Sequence, residues 1–288
     1  MAREGSSAAC EDRPVSQTAN PFKRGGRFDI TVADGVVIKR GDAPSLAREA
    51  LGQRHAAGLD IAPRLIATQR GVIVTELLDG TERALDTMRP SDAYELGSTV
   101  RRLHDSRRTA TGGRPQWPSR ARSLTSYRRL RAADALAAAG PDRRLAERII
   151  AALPPLKAAP AGQPFRLLHG DLVAANVIWT PAPRLVDFEF WRMGDPAEDL
   201  AYLIELNALP PAVVAGILDG YANARVADRV DSWRTLCALD AGLWYRRAAQ
   251  QERATELIER AARSIAESIG GETGWQAIPE ATASRSSR

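Results

Sequence analysis

The stretch HGDLVAANVIW, residues 169–179, decides how the rest of the chain is read. Leu167 and Leu168 precede it and Val177 and Ile178 end it, so a polar turn is held between short apolar runs that read as strands. Asp171 and Asn176 stand five residues apart in that turn. Asp187 follows sixteen residues after Asp171, with Glu189 two further on, in a run, RLVDFEF, that reads as another strand. Carboxylates and an amide among apolar residues are costly to bury without compensation. A divalent cation compensates, and ligation by carboxylate and amide oxygens alone suits Mg2+ and not zinc.

The totals bound the classes available. The chain has 288 residues, of which 44% are hydrophobic, enough for one large domain or two lobes and too apolar for global disorder. No apolar run reaches a membrane span, and the N-terminus lacks the apolar centre of a signal peptide, so a cytoplasmic protein is expected. Cys10 and Cys237 cannot build a disulfide framework, and Cys237, among helix formers, reads as a buried thiol. The formal charge of +5 comes from arginines spread along the chain without an aromatic-basic array, so no nucleic-acid partner is expected. Of 40 basic residues only Lys23, Lys39 and Lys157 are lysine, which singles each of them out.

Residues 1–20 and 270–288 read as mobile tails. Residues 21–80 read as a small antiparallel sheet with one inserted helix. Its hairpin turns fall at Asp34-Gly35 and Arg70-Gly71, and the helix puts Leu46, Ala47, Ala50 and Leu51 on one face. Residues 81–269 read as mainly helical. Ser91 is placed as the cap of a helix carrying Ala93, Leu96, Val100 and Leu103, and further helices are expected near 121–139 and 142–153. The rest is helical with breaks at Pro210-Pro211 and near Asp219-Gly220. The fold class expected is α+β, with a sheet-rich N-lobe meeting a helix-rich C-lobe near residue 80.

Phosphoryl transfer needs this division of labour. One carboxylate accepts the proton of an attacking hydroxyl, while others and an amide oxygen hold Mg2+ on the nucleotide phosphates. A lysine elsewhere reaches the phosphates, positioned by a glutamate. Lys39 ends the strand VVIK and Glu49 lies one helix later, as a kinase-type N-lobe provides. Taken singly, each residue has a plainer reading: Asp171 as a turn cap, Lys39 as a solvated strand end, Glu49 as a surface acid beside Arg48 and Arg54.

Three blocks in order, HGD-x4-N, Asp187 in LVDFEF and GDPAEDLAYL at 194–203, resemble the aminoglycoside phosphotransferase-like family of small-molecule kinases. The likeness spans about residues 22–265 and implies a protein-kinase-like two-lobed fold using ATP and Mg2+. It implies that Asp171 is the catalytic base and that Asn176 and Asp187 ligate Mg2+, with Glu189 a further contact. Lys39, paired with Glu49, holds the α- and β-phosphates. Glu76 and Leu78 fall where the inter-lobe hinge meets adenine, and Gly25-Gly26 where a loop covers the phosphates. His169 is read as structural, Asp195 as a residue opening a helix, and Asp199 as a partner of loop amides.

The implied activity is O-phosphorylation of a small molecule, with an antibiotic expected as acceptor and a monomer or homodimer as the unit. The positive field tilts the expectation toward an acceptor with few positive charges. Glu198, Glu205, Asp240, Glu252 and Glu256 are the acids that a polycation would need. A metabolite such as choline, homoserine or a sugar-amine is the alternative acceptor, and a non-catalytic nucleotide-binding module is the alternative of another class. A protein kinase is disfavoured, because seven residues between Asp187 and Asp195 leave no room for an activation segment and position 170 is Gly.

Overall fold

The computed structural model describes residues 28–106, 123–156 and 165–268. Gly25-Gly26, both tails and the loop expected at 108–118 lie outside the described residues. The fold is α+β and protein-kinase-like, with an antiparallel sheet followed by a larger helical part.

The sheet consists of β1 (Asp29–Ala33), β2 (Val36–Arg40), β3 (Leu65–Gln69) and β4 (Val72–Glu76), ordered β1-β2-β4-β3. Asp34 and Gly35 both take left-handed backbone at φ 49° and 76°, the conformation a tight two-residue hairpin demands. That turn fixes Ile30 opposite Lys39, and β4 sets Ile73 on the other side of the lysine. The inserted helix α1 (Ala43–Ala57) starts on Asp42, whose carboxylate accepts from the Ser45 amide. Leu46 and Ala50 pack with Phe28 and Ile73 over the sheet. Ala47 and Leu51 were expected on that face but are exposed. The inward stripe instead runs through Leu46, Glu49, Ala50, Gln53 and Ala56, because two polar residues on it find partners inside.

The helical part begins with β5 (Thr81–Glu82) and α2 (Pro90–Asp105). Its cap is Arg89 with Pro90 in the first turn, so Ser91 is inside the helix and not its cap. Ala93, Leu96, Val100 and Leu103 are all fully buried, as their spacing demands. The helices expected near 121–139 and 142–153 are α3 (Leu124–Ala138) and α4 (Arg143–Ala151). After them come β6 (Arg166–Leu168), β7 (Val177–Trp179), β8 (Pro183–Leu185) and β9 (Arg192–Gly194), with β6 paired to β9 and β5-β7-β8 forming a second small sheet. RLVDFEF is therefore strand only at its start, since Phe188–Phe190 is a 3-10 turn. Four helices end the described residues: α5 (Pro196–Leu206), α6 (Pro211–Tyr221), α7 (Ala224–Arg247) and α8 (Gln251–Ser268). Asp219-Gly220 lies within α6, and the break falls after Tyr221. No helix among the described residues is long and apolar enough to cross a membrane.

The core is centred on α2, α5 and α7, and it contains charge. Asp195 caps α5 and is fully buried. Arg229 of α7 grips it through Nη2 at 2.7 Å and Nε at 3.0 Å, and Trp233 Nε1 donates to it at 3.0 Å. A buried pair of this kind adds little net stability but is costly to break, because the remaining charge is stranded. Arg229→Ala is expected to lower stability by about 3–5 kcal/mol, measured as a drop in the urea midpoint; a loss near that of an exposed arginine would refute this.

Candidate active site

The strand β2 aims Lys39 into the protein, where it is 7% exposed. Its Nζ donates to Glu49 Oε2 and to Asp187 Oδ1, each at 2.8 Å, and lies 4.4 Å from the centre of the Phe28 ring. One ammonium therefore joins the sheet, α1 and the segment after β8. Burial opposes the Lys39 charge, yet Asp187 and Glu49 hold its pKa above the ordinary value. For Glu49 burial wins: it pushes the carboxyl up to about 7 against the pull of Lys39, with Asp187 adding to the rise. Two carboxylates share one cation, and the more deeply buried one bears the excess.

Asp187 stands in the left-handed region at φ 66° and ψ 65°, unusual for a residue with a Cβ. The 3-10 turn after it is held against α1. Arg48 Nη2 donates to the Glu189 carbonyl at 2.6 Å and Trp191 Nε1 donates to the Arg48 carbonyl at 2.6 Å. The approach is close because position 52 is glycine. A Cβ there would fall 2.7 Å from Trp191 Cδ1 and 3.0 Å from Phe188 Cβ.

The turn between β6 and β7 carries Asp171 and Asn176. Asp199, fully buried, accepts from the amides of His169 at 2.7 Å and Gly170 at 2.9 Å, and also contacts His104 Nε2 at 3.1 Å. His169 is fully buried, meets the Val186 carbonyl through Nε2 at 2.9 Å and accepts from the Asp171 amide through Nδ1 at 3.3 Å. Burial holds its pKa below the ordinary value, so it is a neutral structural group. Asn207 closes the far side: its Oδ1 accepts from the Ala174 amide at 2.9 Å and its Nδ2 donates to the Leu172 carbonyl at 3.0 Å.

Asn176 donates through Nδ2 to the Asp171 carbonyl at 2.9 Å and to Asp171 Oδ2 at 3.0 Å. Its amide oxygen is thereby turned away from Asp171. The Val186 amide bonds to the Asn176 carbonyl at 3.0 Å, so the β7–β8 hairpin brings Asn176 beside the segment that carries Asp187. Among the described residues no three His, Cys, Asp or Glu side chains gather as a metal cage. One carboxylate and one amide oxygen instead fit a small hard cation that completes its shell with phosphate oxygens and water.

The remaining sequence candidates are placed as follows. Glu189 is half-buried, its carbonyl taken by Arg48 and its charge adding to the rise of the Glu49 pKa. Glu76 ends β4 and binds Arg64 through the backbone amide at 3.0 Å and Nε at 2.7 Å. Leu78 follows it in the strap toward β5, and the Leu77 amide donates to the Gly35 carbonyl at 2.8 Å. Asn207, Arg48 and Gly52 were not foreseen. Their partners are remote in sequence, and nothing local marks them.

The sheet, α1 and the helical part form a protein-kinase-like fold, in which a buried lysine bridges Glu49 and Asp187 close to the loop that carries Asp171 and Asn176. The chain belongs to the phosphotransferase enzyme family, whose model matches residues 35–237. Over 118 residues it is 35% identical to viomycin phosphotransferase of Streptomyces vinaceus, a match that covers 38% of this chain and 39% of that relative. The chain thus aligns with about two-fifths of the length of the curated relative it matches. Similar solved structures include a choline/ethanolamine kinase family protein from Mesorhizobium loti, at TM-score 0.61 and 22% identity over 87% of this chain and 93% of that one. A macrolide 2'-phosphotransferase from Brachybacterium faecium matches at TM-score 0.55 and 22% identity, over 85% of this chain and 90% of that one.

The raised Glu49 pKa has a consequence with a definite sign. The folded state holds that proton more tightly than the unfolded chain, so the cost of ionising Glu49 appears as pH rises from about 4.5 and is complete above about 7. Glu49→Gln, which mimics the protonated acid, should gain stability relative to the native chain between pH 5 and pH 8.5, by on the order of 1–3 kcal/mol. Thermal unfolding of both proteins at the two pH values measures the difference; a pH-independent difference would show that Glu49 is ionised throughout.

Proposed function

We propose that this protein is an ATP- and Mg2+-dependent O-phosphotransferase that moves the γ-phosphate to a hydroxyl of a small molecule, in the first instance an antibiotic. The observation that carries the reading is the Lys39 ammonium at 2.8 Å from both Glu49 and Asp187, beside a loop in which Asn176 turns its amide oxygen away from Asp171. Lys39 binds the nucleotide phosphates and Glu49 keeps it aimed. Asn176 and Asp187 hold Mg2+, with Glu189 the further acid nearby. When bound, the metal supplies neutralisation of charge on the transferring phosphoryl group.

Asp171 receives the acceptor hydroxyl and takes its proton. The Asn176 amide on Oδ2 fixes the carboxylate, so orientation is set before the acceptor arrives. The backbone at Glu76 and Leu78 meets adenine. The alignment with viomycin phosphotransferase supports an antibiotic acceptor.

The acids that a polycation would need are largely spent within the protein. Glu198 is bound by Arg131 and Arg192 at 2.8 Å each, and Asp240 by Arg131 at 2.7 Å. Glu205 and Glu256 pair with Arg234, Arg253 and Arg260. This favours an acceptor carrying few positive charges.

Two variants and a panel test the reading. Asp171→Ala should cut kcat by about 10²–10⁴-fold and leave nucleotide affinity within about threefold, while Asp187→Ala should weaken Mg2+-dependent nucleotide binding as well. Mass detection of a phosphate adduct across aminoglycosides, peptide antibiotics, macrolides, nucleosides and choline identifies the acceptor. Near-native transfer by Asp171→Ala would remove it as the base, and activity confined to multi-amine aminoglycosides would overturn the preference for few charges.

A further inference from the structure

The loop that carries Asp171 is held by Asp199, His169 and Asn207. Arg192 also reaches it, and none of the catalytic or binding roles above employs its charge. It lies on β9 directly opposite Leu168, the last residue before the loop. Its Nη1 reaches the Phe190 carbonyl at 3.3 Å and the Gly170 carbonyl at 3.5 Å. Gly170 has φ +87°, and a Cβ there would fall 2.4 Å from that same nitrogen and 2.3 Å from the Phe190 oxygen. The guanidinium thus occupies the space that a side chain at position 170 would need.

Arg192 is itself held. Its Nη2 donates to Glu198 Oε1 at 2.8 Å, and its Nε meets the Tyr127 hydroxyl at 3.3 Å. Glu198 is 1% exposed and also accepts from Arg131 Nε at 2.8 Å and from the Tyr127 hydroxyl at 2.6 Å. Arg131 continues to Asp240 Oδ2 at 2.7 Å. Burial pushes the Glu198 carboxyl up, but Arg192 and Arg131 more than offset it and hold it below the usual range. The quartet is charge-balanced, two arginines against two carboxylates, so it can remain ionised inside the core. The planar fork meets Glu198 through Nη2 and the two carbonyls through Nη1, a two-point geometry that the single nitrogen of a lysine does not reproduce.

We propose that Arg192 is a positioning residue for phosphotransfer: its guanidinium, anchored by Glu198, fixes the peptide before Asp171 and so sets where the base stands. This rests on the reading of Asp171 given above. Glu198 serves the same role one step removed, and Arg131 with Asp240 ties the anchor to α7.

The test compares Arg192→Lys, Arg192→Met and the double variant Arg192→Met/Glu198→Met, which leaves no stranded carboxylate at 198. Steady-state kinetics should show kcat reduced about 10–100-fold in Arg192→Met, nucleotide KM within about threefold, and partial recovery in Arg192→Lys. The double variant should keep the low kcat at a native-like melting temperature. Hydrogen exchange of the His169 and Gly170 amides should quicken about tenfold or more in Arg192→Met. Unchanged kcat in Arg192→Met, or kcat restored to the native value in the double variant, would overturn the proposal. If the native protein transfers phosphate to no acceptor, the functional reading fails separately, and the exchange measurement still decides the positioning: native-like exchange at both amides refutes it.

Discussion

The contact between Lys39 and Asp187 joins residues 148 positions apart, across the boundary between sheet and helical part. At 2.8 Å it is as short as the contact of the same ammonium with Glu49. An ammonium so deeply buried is tolerated only where opposite charge surrounds it. This fixes the height of β2, the rotation of α1 and the path of the chain after β8 relative to one another. The glycine at position 52 follows from that constraint, since α1 must approach Phe188 and Trp191 closely enough to deliver Glu49.

The helical part follows the same logic with more charge. Asp195, Glu198 and Asp199 occupy three of the five consecutive positions 195–199 at the start of α5, each buried and each differently compensated. Asp195 is met by Arg229 and Trp233, Glu198 by Arg131, Arg192 and Tyr127, and Asp199 by His104 and two loop amides. Acids in the first turn also complement the helix dipole. The result is a network of buried ion pairs and hydrogen bonds that reaches the backbone amides just before Asp171.

Surface charge and site charge are separate matters in this chain. A formal +5 suggested a generally positive field, yet the arginines counted in it are in good part internal partners of carboxylates, as at Arg131, Arg192 and Arg229. The same pairing explains why acids that looked available for a cationic ligand are engaged.

The Asp171, Asn176 and Asp187 cluster and the Lys39 and Glu49 pair were legible from the chain alone, because each lies at a fixed short spacing inside or beside an apolar run. The helical face of α2 was legible for the same reason: its buried residues are all apolar, and period 3.6 reports them. Period alone misassigned α1, where Glu49 and Gln53 point inward and Ala47 and Leu51 outward. A buried polar residue is invisible to a hydrophobic pattern until its partner is known. The left-handed backbone at Asp187, the 3-10 turn after it, and the bracing of the loop by Asn207 and Arg192 were likewise decided only in three dimensions. Each depends on atoms brought close from distant parts of the chain, and such contacts leave no local periodicity. The sequence by itself determined which groups are candidates for the chemistry and roughly which elements carry them; the tertiary structure decided how each is aimed, because direction is set by partners on other elements.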